Sequence, residues 1–197
     1  TKENIINCAR YALSIEKTAI DSISNNSIDD TFCELIQIIL NTKGRVFLSA
    51  VGKPGYIAHK VAATLASTGT PAFYIHPTEA SHGDLGMITE DDIVILLSSS
   101  GESRELFDLV AYCRRFNIKL ISLTRNKDSF VSKSSDLALV LENIEETNPV
   151  KSPTTSMLMF LAYFDAVITV LINARGFNND CFKVFHPGGK LGSMLLK

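Results

Sequence analysis

Residues 93–103 read IVILLSSSGES, an unbroken apolar run that leads directly into a turn of hydroxyl side chains and glycine. An apolar run this short is typical of a strand buried on both faces of a sheet. Four further runs of this kind occur along the chain, at residues 45–51, 72–75, 120–123 and 137–141. Helical stretches separate the runs, and the alternation predicts an α/β fold with a parallel sheet covered by helices on both sides.

Helical patterns also frame these runs. The first forty residues place apolar side chains at helical spacing and predict two helices, the second ending at Lys43-Gly44. A long helix is predicted over residues 154–175 and a short one over residues 179–185. No repeat, low-complexity tract or Pro/Ser-rich linker interrupts the chain, so residues 1–197 are expected to form one domain.

Composition narrows the classes of function. Hydrophobic residues make up 46% of the chain and charged residues 20%, as in ordinary globular proteins. A formal net charge of −2 gives no general attraction to nucleic acid or to anionic membranes, so neither is expected as a partner. Any positively charged binding site must therefore be local.

The cysteines and one apolar segment bear on location. Four cysteines lie far apart in the sequence and are predicted to be reduced, mostly buried thiols: Cys8, Cys33, Cys113 and Cys181. Residues 157–174 approach the length of a membrane span, but Asp165 lies in their middle, which favours a buried helix over an anchor. With no basic-then-apolar leader in the sequence, a cytoplasmic protein is expected.

The serine loop, residues 98–103, is the most informative local feature. Hydroxyls and free backbone N–H groups at the start of a helix form a neutral cradle for phosphate. Gly101 permits positive φ, and Ser103 is suited to cap the following helix. The alternative is that these serines only turn the chain and cap a helix. The sequence lacks GxxxxGK[ST] and lacks GxGxxG after a strand, which argues against a nucleotide or NAD cofactor.

Polar residues after two other strands are further candidates. Lys53 follows the first strand and would either hold a phosphate or sugar oxygen or remain a solvated loop lysine. Glu145 and Glu146 follow the fifth strand, where one would act as a general base unless both are merely solvated. Glu105 lies in the first turn after the serine loop, where it would also complement the helix dipole.

Two histidines lie in glycine-rich turns. His82 in SHGDLG and His186 in HPGG are suited to proton transfer near neutral pH. Neither has a partner at zinc-ligand spacing, so no metal is expected.

Three segments together resemble a known family: GKPGYIAHKVAATLASTGTPAFYIHPTEASHGDLGMI (residues 52–88), SSSGESRE (98–105) and VFHPGGKLG (184–192). In order and spacing they are similar to the sugar isomerase (SIS) domain of arabinose-5-phosphate isomerases, over nearly the whole chain. The resemblance implies a five-stranded parallel sheet in a flavodoxin-like three-layer sandwich. It also implies a homo-oligomer, a dimer or tetramer, with sites between subunits.

The resemblance implies a function without cofactor, the interconversion of D-ribulose 5-phosphate and D-arabinose 5-phosphate. The catalytic residues it implies are Lys53, Glu105, Glu146 and His186. The substrate-binding residues are Gly52, His82, Ser98, Ser99, Ser100 and Ser103. Family members supply Kdo sugars for lipopolysaccharide and capsule, so a role in making cell-envelope precursors is also implied.

The chain departs from the family pattern in several places. Pro54 stands where related enzymes often carry serine, and Ala50 where glycine is common. The loop between Pro149 and Pro153 is one residue shorter than in relatives, which leaves Glu145 as an alternative to Glu146. Larger members carry CBS domains after the HPGG segment, and the present sequence is expected to be the SIS domain without them.

The expected mechanism passes through a cis-enediol. One carboxylate, Glu146 or Glu105, with its pKa raised by partial burial, would move the proton between neighbouring carbons, while the other orients hydroxyls. Lys53 would stabilise the enediolate. His186 would shuttle protons or assist ring opening, and the serine loop would anchor the phosphate. Two alternatives stay open: an isomerase of a hexulose or heptulose phosphate, and a regulator that only binds sugar phosphates.

Overall fold

A five-stranded parallel sheet forms the centre of the protein in a computed structural model that describes residues 1–188. The strands are β1 (Val46–Ser49), β2 (Ala72–Tyr74), β3 (Ile93–Leu97), β4 (Lys119–Thr124) and β5 (Leu137–Val140). They pair in the order β2-β1-β3-β4-β5, all parallel. The predicted α/β class and the five strands are therefore confirmed, although β1 ends at Ser49, before the predicted end at residue 51.

Eight α-helices surround the sheet within the described residues. They are α1 (Lys2–Asn26), α2 (Asp30–Asn41), α3 (Lys53–Ser67), α4 (Pro77–Ser81), α5 (Phe107–Arg115), α6 (Phe130–Ser134), α7 (Thr155–Ala174) and α8 (Asn179–Phe185). The long helices match the sequence prediction. The five-residue helices α4 and α6 were not predicted, because so short a segment shows no helical periodicity.

Strand residues alternate between two hydrophobic cores. Val46 and Leu48 of β1 face a core shared with α1, α2, α3 and α7, whereas Phe47 between them faces a core shared with α4, α5 and α6. All of β1 and β3 is buried. Burial on both faces explains why these strands read as continuous apolar runs.

Helix α7 is the one helix of the described part with the length and hydropathy of a membrane span, and half of its most apolar window is buried. Its buried face includes Phe160, Tyr163 and Phe164, which pack in the core beneath the sheet. On its exposed face, Asp165 accepts a hydrogen bond from the Nζ of Lys60 at 2.8 Å. This packing agrees with the interpretation of residues 157–174 as a core helix.

The strand order reverses direction between β1 and β3. The chain leaves these neighbouring strands toward opposite sides of the sheet, so their carboxyl ends leave a crevice. The loop after β1, residues 50–52, and the serine loop after β3 both open into it. The topology therefore places the two loops with the most unusual residues where α/β proteins bind ligands.

The expectation that the cysteines are mostly buried is wrong. Cys113 of α5 is buried in the core, and burial raises the pKa of its thiol to about 12. Cys8 and Cys33 are exposed and Cys181 is half-buried. Cys8 is exposed because the first half of α1 extends beyond the cores, with residues 2–11 all exposed.

Candidate functional site

A cavity of about 930 Å³ opens at the carboxyl ends of the strands. Four separate loops line it, following β1, β3, β4 and β5. Its polar lining consists of serines, two acidic and two basic residues, and amides: Ser98, Ser99, Ser100, Ser103, Ser156, Glu145, Glu146, Arg125, Lys151, Asn126, Asn143 and Asn148. Val51, Pro54 and Met157 are among the apolar members of its wall.

The serine loop is held in one shape by its own hydroxyls. The Ser98 hydroxyl accepts from the Gly101 N–H at 3.0 Å and shares a hydrogen bond with the Ser103 hydroxyl at 3.0 Å. Gly101 has φ of +69°, as predicted, and its position leaves no room for a side chain beside Ser129. The expected capping role of Ser103 is wrong, because its hydroxyl pairs with Ser98 and the chain first makes a 3-10 turn, Arg104–Leu106.

The serine loop keeps free donors. Within residues 1–188, no acceptor is found for the backbone N–H groups of Ser99, Ser100 and Ser103. Ser99 is half-buried and Ser100 is exposed, and both line the cavity. Such a set of N–H groups and hydroxyls can accept an anion.

Arg125 connects the serine loop to the β5–α7 loop, residues 141–154. Its backbone N–H and its Nε both bind Ser99, the first at the carbonyl (3.1 Å) and the second at the hydroxyl (2.8 Å). Its Nη1 donates to the carbonyl of Ile144 at 2.7 Å, and its Nη2 reaches Glu146 at 3.4 Å. The side chain is 14% exposed. Burial lowers the pKa of this guanidinium, although the charge of Glu146 opposes the shift.

Glu146 is held by donors from the start of α7. Its Oε2 accepts from the Thr154 N–H at 2.7 Å, the Thr154 hydroxyl at 3.2 Å and the Ser156 N–H at 3.3 Å. Its Oε1 accepts from the Ser156 hydroxyl at 2.5 Å. The carboxylate thus serves as a helix cap supplied from outside the helix.

These donors decide the protonation state of Glu146. Burial by itself raises the pKa of this carboxyl group, but the hydrogen bonds from Ser156 and Thr154 and the charge of Arg125 outweigh it and hold the pKa below its usual value. The expectation of a base with a raised pKa is therefore wrong for Glu146 in this state. Burial was predicted correctly, but its effect is overcome by the surrounding donors.

The other expected site residues divide into two groups. Gly52 is the N-cap and Lys53 the first residue of α3, between Val51 and Pro54, which both line the cavity, whereas Gly52 and Lys53 are not themselves among its lining residues. His82 and Glu105 are exposed and do not line the cavity. One copy of the chain therefore brings together the serine loop and Glu146, but not His82 or Glu105.

His186 lies at the end of α8, away from the cavity lining. Its ring stacks on Phe182 with centroids 3.7 Å apart, and its Nδ1 is 2.8 Å from the Phe182 carbonyl oxygen. The remainder of the VFHPGGKLG segment, residues 189–192, lies outside the described residues. In residues 1–188 no group of three His, Cys, Asp or Glu side chains is placed to hold a metal ion.

Sequence reasoning missed three contributors to the site, Arg125, Thr154 and Ser156. Arg125 directly follows the apolar strand β4 at the same edge of the sheet as the serine loop, a position that was a usable signal. Thr154 and Ser156 follow Glu146 by eight and ten residues. Their contact with Glu146 depends on how the β5–α7 loop folds back toward the start of α7, and no local sequence pattern predicts that arrangement.

Fold and cavity together define a class, a doubly wound α/β domain with a ligand cavity at its topological switch point. The sequence model of the SIS domain matches residues 39–169, and the chain belongs to the SIS domain family.

Individual relatives agree with this assignment. The arabinose 5-phosphate isomerase KdsD of Pseudomonas aeruginosa is 42% identical over 194 residues, which cover 98% of this chain and 59% of that protein. An uncharacterized protein of Rickettsia prowazekii is 46% identical over 189 residues, covering 96% of this chain and 59% of that protein. The chain thus spans about three fifths of the length of the curated relatives it matches.

A solved structure of an Escherichia coli CFT073 protein in complex with arabinose 5-phosphate superposes with a TM-score of 0.91. Its sequence is 35% identical, and the match covers 95% of this chain and all of that chain. The SIS fold expected from the sequence is confirmed by this likeness.

Proposed function

We propose that this domain is an aldose–ketose isomerase that interconverts D-ribulose 5-phosphate and D-arabinose 5-phosphate. The observation that carries the proposal is the cavity in which the serine loop faces the carboxylates of the β5–α7 loop. An anion site and a carboxylate in one cavity are what enediol chemistry on a sugar phosphate requires. The likeness to KdsD supports the choice of substrate.

The serine loop anchors the phosphate in this proposal. A phosphate carries close to two negative charges, and the N–H groups of Ser99 and Ser100 donate no hydrogen bond elsewhere in the described chain. Ser98 and Ser103 hold the loop in shape through their mutual hydrogen bond. Anchoring by the phosphate places the sugar carbons toward the β5–α7 loop.

Glu146 is the proposed base, with Glu145 as the alternative. A base must be ionised at neutral pH and must reach the cavity, and Glu146 meets both conditions. Its low pKa makes it a weak acceptor until a bound substrate excludes water and adds negative charge nearby, since both changes raise a carboxyl pKa. Glu145 also lines the cavity, but it is exposed and touches the Tyr11 hydroxyl at 3.4 Å.

Lys53, whose neighbours Val51 and Pro54 line the cavity, is proposed to stabilise charge on the enediolate oxygens. Glu105, His82 and His186 are proposed to act in a site completed by neighbouring copies, because in one copy they lie outside the cavity. His186 would then move protons or assist opening of the aldose ring.

An exposed apolar face supports the homo-oligomer. Ile6, Leu13 and Ile20 recur at seven-residue intervals on α1 and are exposed by 39%, 64% and 39%. This spacing puts them on one side of the helix, where a second copy would bury them. Light scattering should report a dimer or tetramer, and Leu13→Glu should shift it toward monomer. The control Thr18→Glu, an exposed position of α1 away from the side that carries Leu13, should not. A monomeric parent protein would contradict this part of the proposal.

A cytoplasmic role in supplying precursors of lipopolysaccharide or capsule is the proposed setting. It rests on the names of the relatives, which include the isomerases KdsD and KpsF.

The test of the function is an assay of the purified chain with arabinose 5-phosphate, in which the ketose formed is measured over time. We expect ribulose 5-phosphate to accumulate to an equilibrium that is also reached from the ketose side. Glu146→Gln should lower kcat about hundredfold or more, with Glu145→Gln as the matched control. Binding of arabinose 5-phosphate without conversion would contradict the proposal and favour a regulator that only binds sugar phosphates. Turnover of only longer sugar phosphates would show an isomerase with a different substrate.

A further inference from the structure

The serine loop carries no positive charge of its own. Its only ionisable residue is Glu102, which is engaged with the backbone N–H of Phe130 at 2.9 Å. A phosphate dianion bound by neutral hydroxyls and N–H groups needs a cation nearby to offset its loss of hydration. Two basic residues line the cavity, Arg125 and Lys151.

Arg125 is the one in direct contact with the serine loop. Both its backbone and its Nε bind Ser99, so the guanidinium is fixed beside the free N–H groups of Ser99 and Ser100. Lys151 lies in the β5–α7 loop, is exposed, and contacts Asn148 through its backbone. Position therefore favours Arg125 over Lys151.

The guanidinium has donors to spare. Arginine carries five N–H groups, and three of those on Arg125 meet acceptors, at Ser99, Ile144 and Glu146. The bond to Glu146 is long at 3.4 Å, and that carboxylate receives closer bonds from Thr154 and Ser156. The charge of Arg125 is thus only partly offset by its ion-pair partner.

We propose that Arg125 binds the phosphate group of the ligand directly, through its remaining N–H groups, next to the serine loop. The inference rests on the proposed function in taking the ligand to be a sugar phosphate. It adds a residue that the family resemblance did not select and gives the anion site a fixed positive charge. Planar, bidentate geometry makes arginine suited to this contact.

The experiment measures the dissociation constant of inorganic phosphate, and then of arabinose 5-phosphate, by calorimetry. Arg125→Met should weaken phosphate binding between about tenfold and about hundredfold, the value of charge-assisted hydrogen bonds. Arg125→Lys keeps the positive charge but lacks the planar, bidentate donors of the guanidinium, so phosphate binding should weaken by less than in Arg125→Met. Lys127→Met removes an exposed charge from the same loop and should leave the constant unchanged.

Three results would overturn the inference. These are an Arg125→Met protein that melts like the parent and binds phosphate equally well, a Lys151→Met protein that loses as much affinity as Arg125→Met, or no phosphate binding by the parent. A chain that binds phosphate through Arg125 but fails to isomerise the sugar would refute the proposed function and leave this inference standing.

A measurement on the unmodified chain guards against a misfolded variant. The Nε–Hε signal of Arg125, identified by its loss in Arg125→Lys, should shift as inorganic phosphate is titrated into ¹⁵N-labelled protein. If the backbone signals of Ser99 and Ser100 move while the Arg125 signal stays fixed, Arg125 does not touch the phosphate.

Discussion

The backbone N–H of Thr154 donates to the Oε2 of Glu146 across 2.7 Å, so that a carboxylate from eight residues upstream caps the first turn of α7. No side chain at the N-cap position itself makes this bond. The contact joins the stability of a 20-residue core helix to the placement of the proposed base.

Replacement of Glu146 by glutamine should therefore cost stability as well as activity. The glutamine amide has one acceptor oxygen in place of the two carboxylate oxygens, so a donor of Thr154 or Ser156 loses its acceptor. The loss occurs in a buried place, since the Glu146 side chain is only 8% exposed. We expect a loss of about 1–3 kcal/mol in the free energy of unfolding at pH 7, measured with urea. Glu145→Gln changes an exposed side chain of the same loop and should stay within about 0.5 kcal/mol of the parent.

The stability of the parent should also depend on pH through this group. The pKa of Glu146 is lower in the folded protein, so its contribution is present above the unfolded pKa of about 4.3 and is lost as pH falls through the folded value. The difference in stability between parent and Glu146→Gln should shrink on acidification below about pH 5. A difference that is constant down to the lowest pH at which both fold would contradict the low pKa.

Ser156→Ala should raise the pKa of Glu146, because the Ser156 hydroxyl is the foremost of the donors that lower it. The acid limb of kcat/KM against pH is then expected to move to higher pH. Thr155→Val is the matched control, since the Thr155 hydroxyl is buried without a partner among the described residues. It should leave the limb in place and leave stability equal or slightly greater. Equal profiles for Ser156→Ala and the parent would mean that Ser156 does not tune this carboxylate.

Gly101→Ala should abolish phosphate binding. Gly101 has φ of +69°, and an added Cβ would overlap the side chain of Ser129. Gly176 has a similar φ of +61° but open space around it, so Gly176→Ala measures the conformational penalty alone, about 1 kcal/mol. Calorimetric titration with phosphate should show no binding for Gly101→Ala and parent-like binding for Gly176→Ala. Parent-like affinity in both would show that the shape of the serine loop is not required.

Asp92→Asn should destabilise the opposite end of the sheet by about 2–4 kcal/mol. The Asp92 side chain is 1% exposed and accepts from the side chain and backbone of Arg45 and from Thr89. Burial raises the pKa of Asp92, but these bonds outweigh it and lower the pKa overall, so its contribution disappears as pH falls below about 4. Asp91→Asn, which alters an exposed neighbour, is the control in urea unfolding. Equal midpoints for the two variants would show that the Arg45–Asp92 pair is dispensable.

The sequence was sufficient for the sheet because β1 and β3 are buried on both faces and show it as unbroken apolar runs. The serine loop was also recognisable, since hydroxyls and a glycine at a strand end are unusual in any context. The neighbours of Glu146 could not be predicted, because Arg125, Thr154 and Ser156 reach it only after the loop that follows β4 and the β5–α7 loop meet at the start of α7. The sign of its pKa shift depends on those neighbours.

Glu105 and His186 show a different limit. Both residues belong to sequence motifs of the family, yet in a single copy of the chain neither lines the cavity. Side chains that act across an interface leave no trace in the packing of a single chain, so their roles depend on the proposed assembly.

The central claim is that this chain isomerises a pentose phosphate through an enediol. The most direct test is proton NMR of ribulose 5-phosphate with the purified, EDTA-treated protein in D₂O. We predict that arabinose 5-phosphate appears carrying deuterium at C2. When Glu146 is replaced by glutamine, we predict that no arabinose 5-phosphate appears. Bound but unchanged ribulose 5-phosphate, with no exchange of carbon-bound protons, would contradict the account.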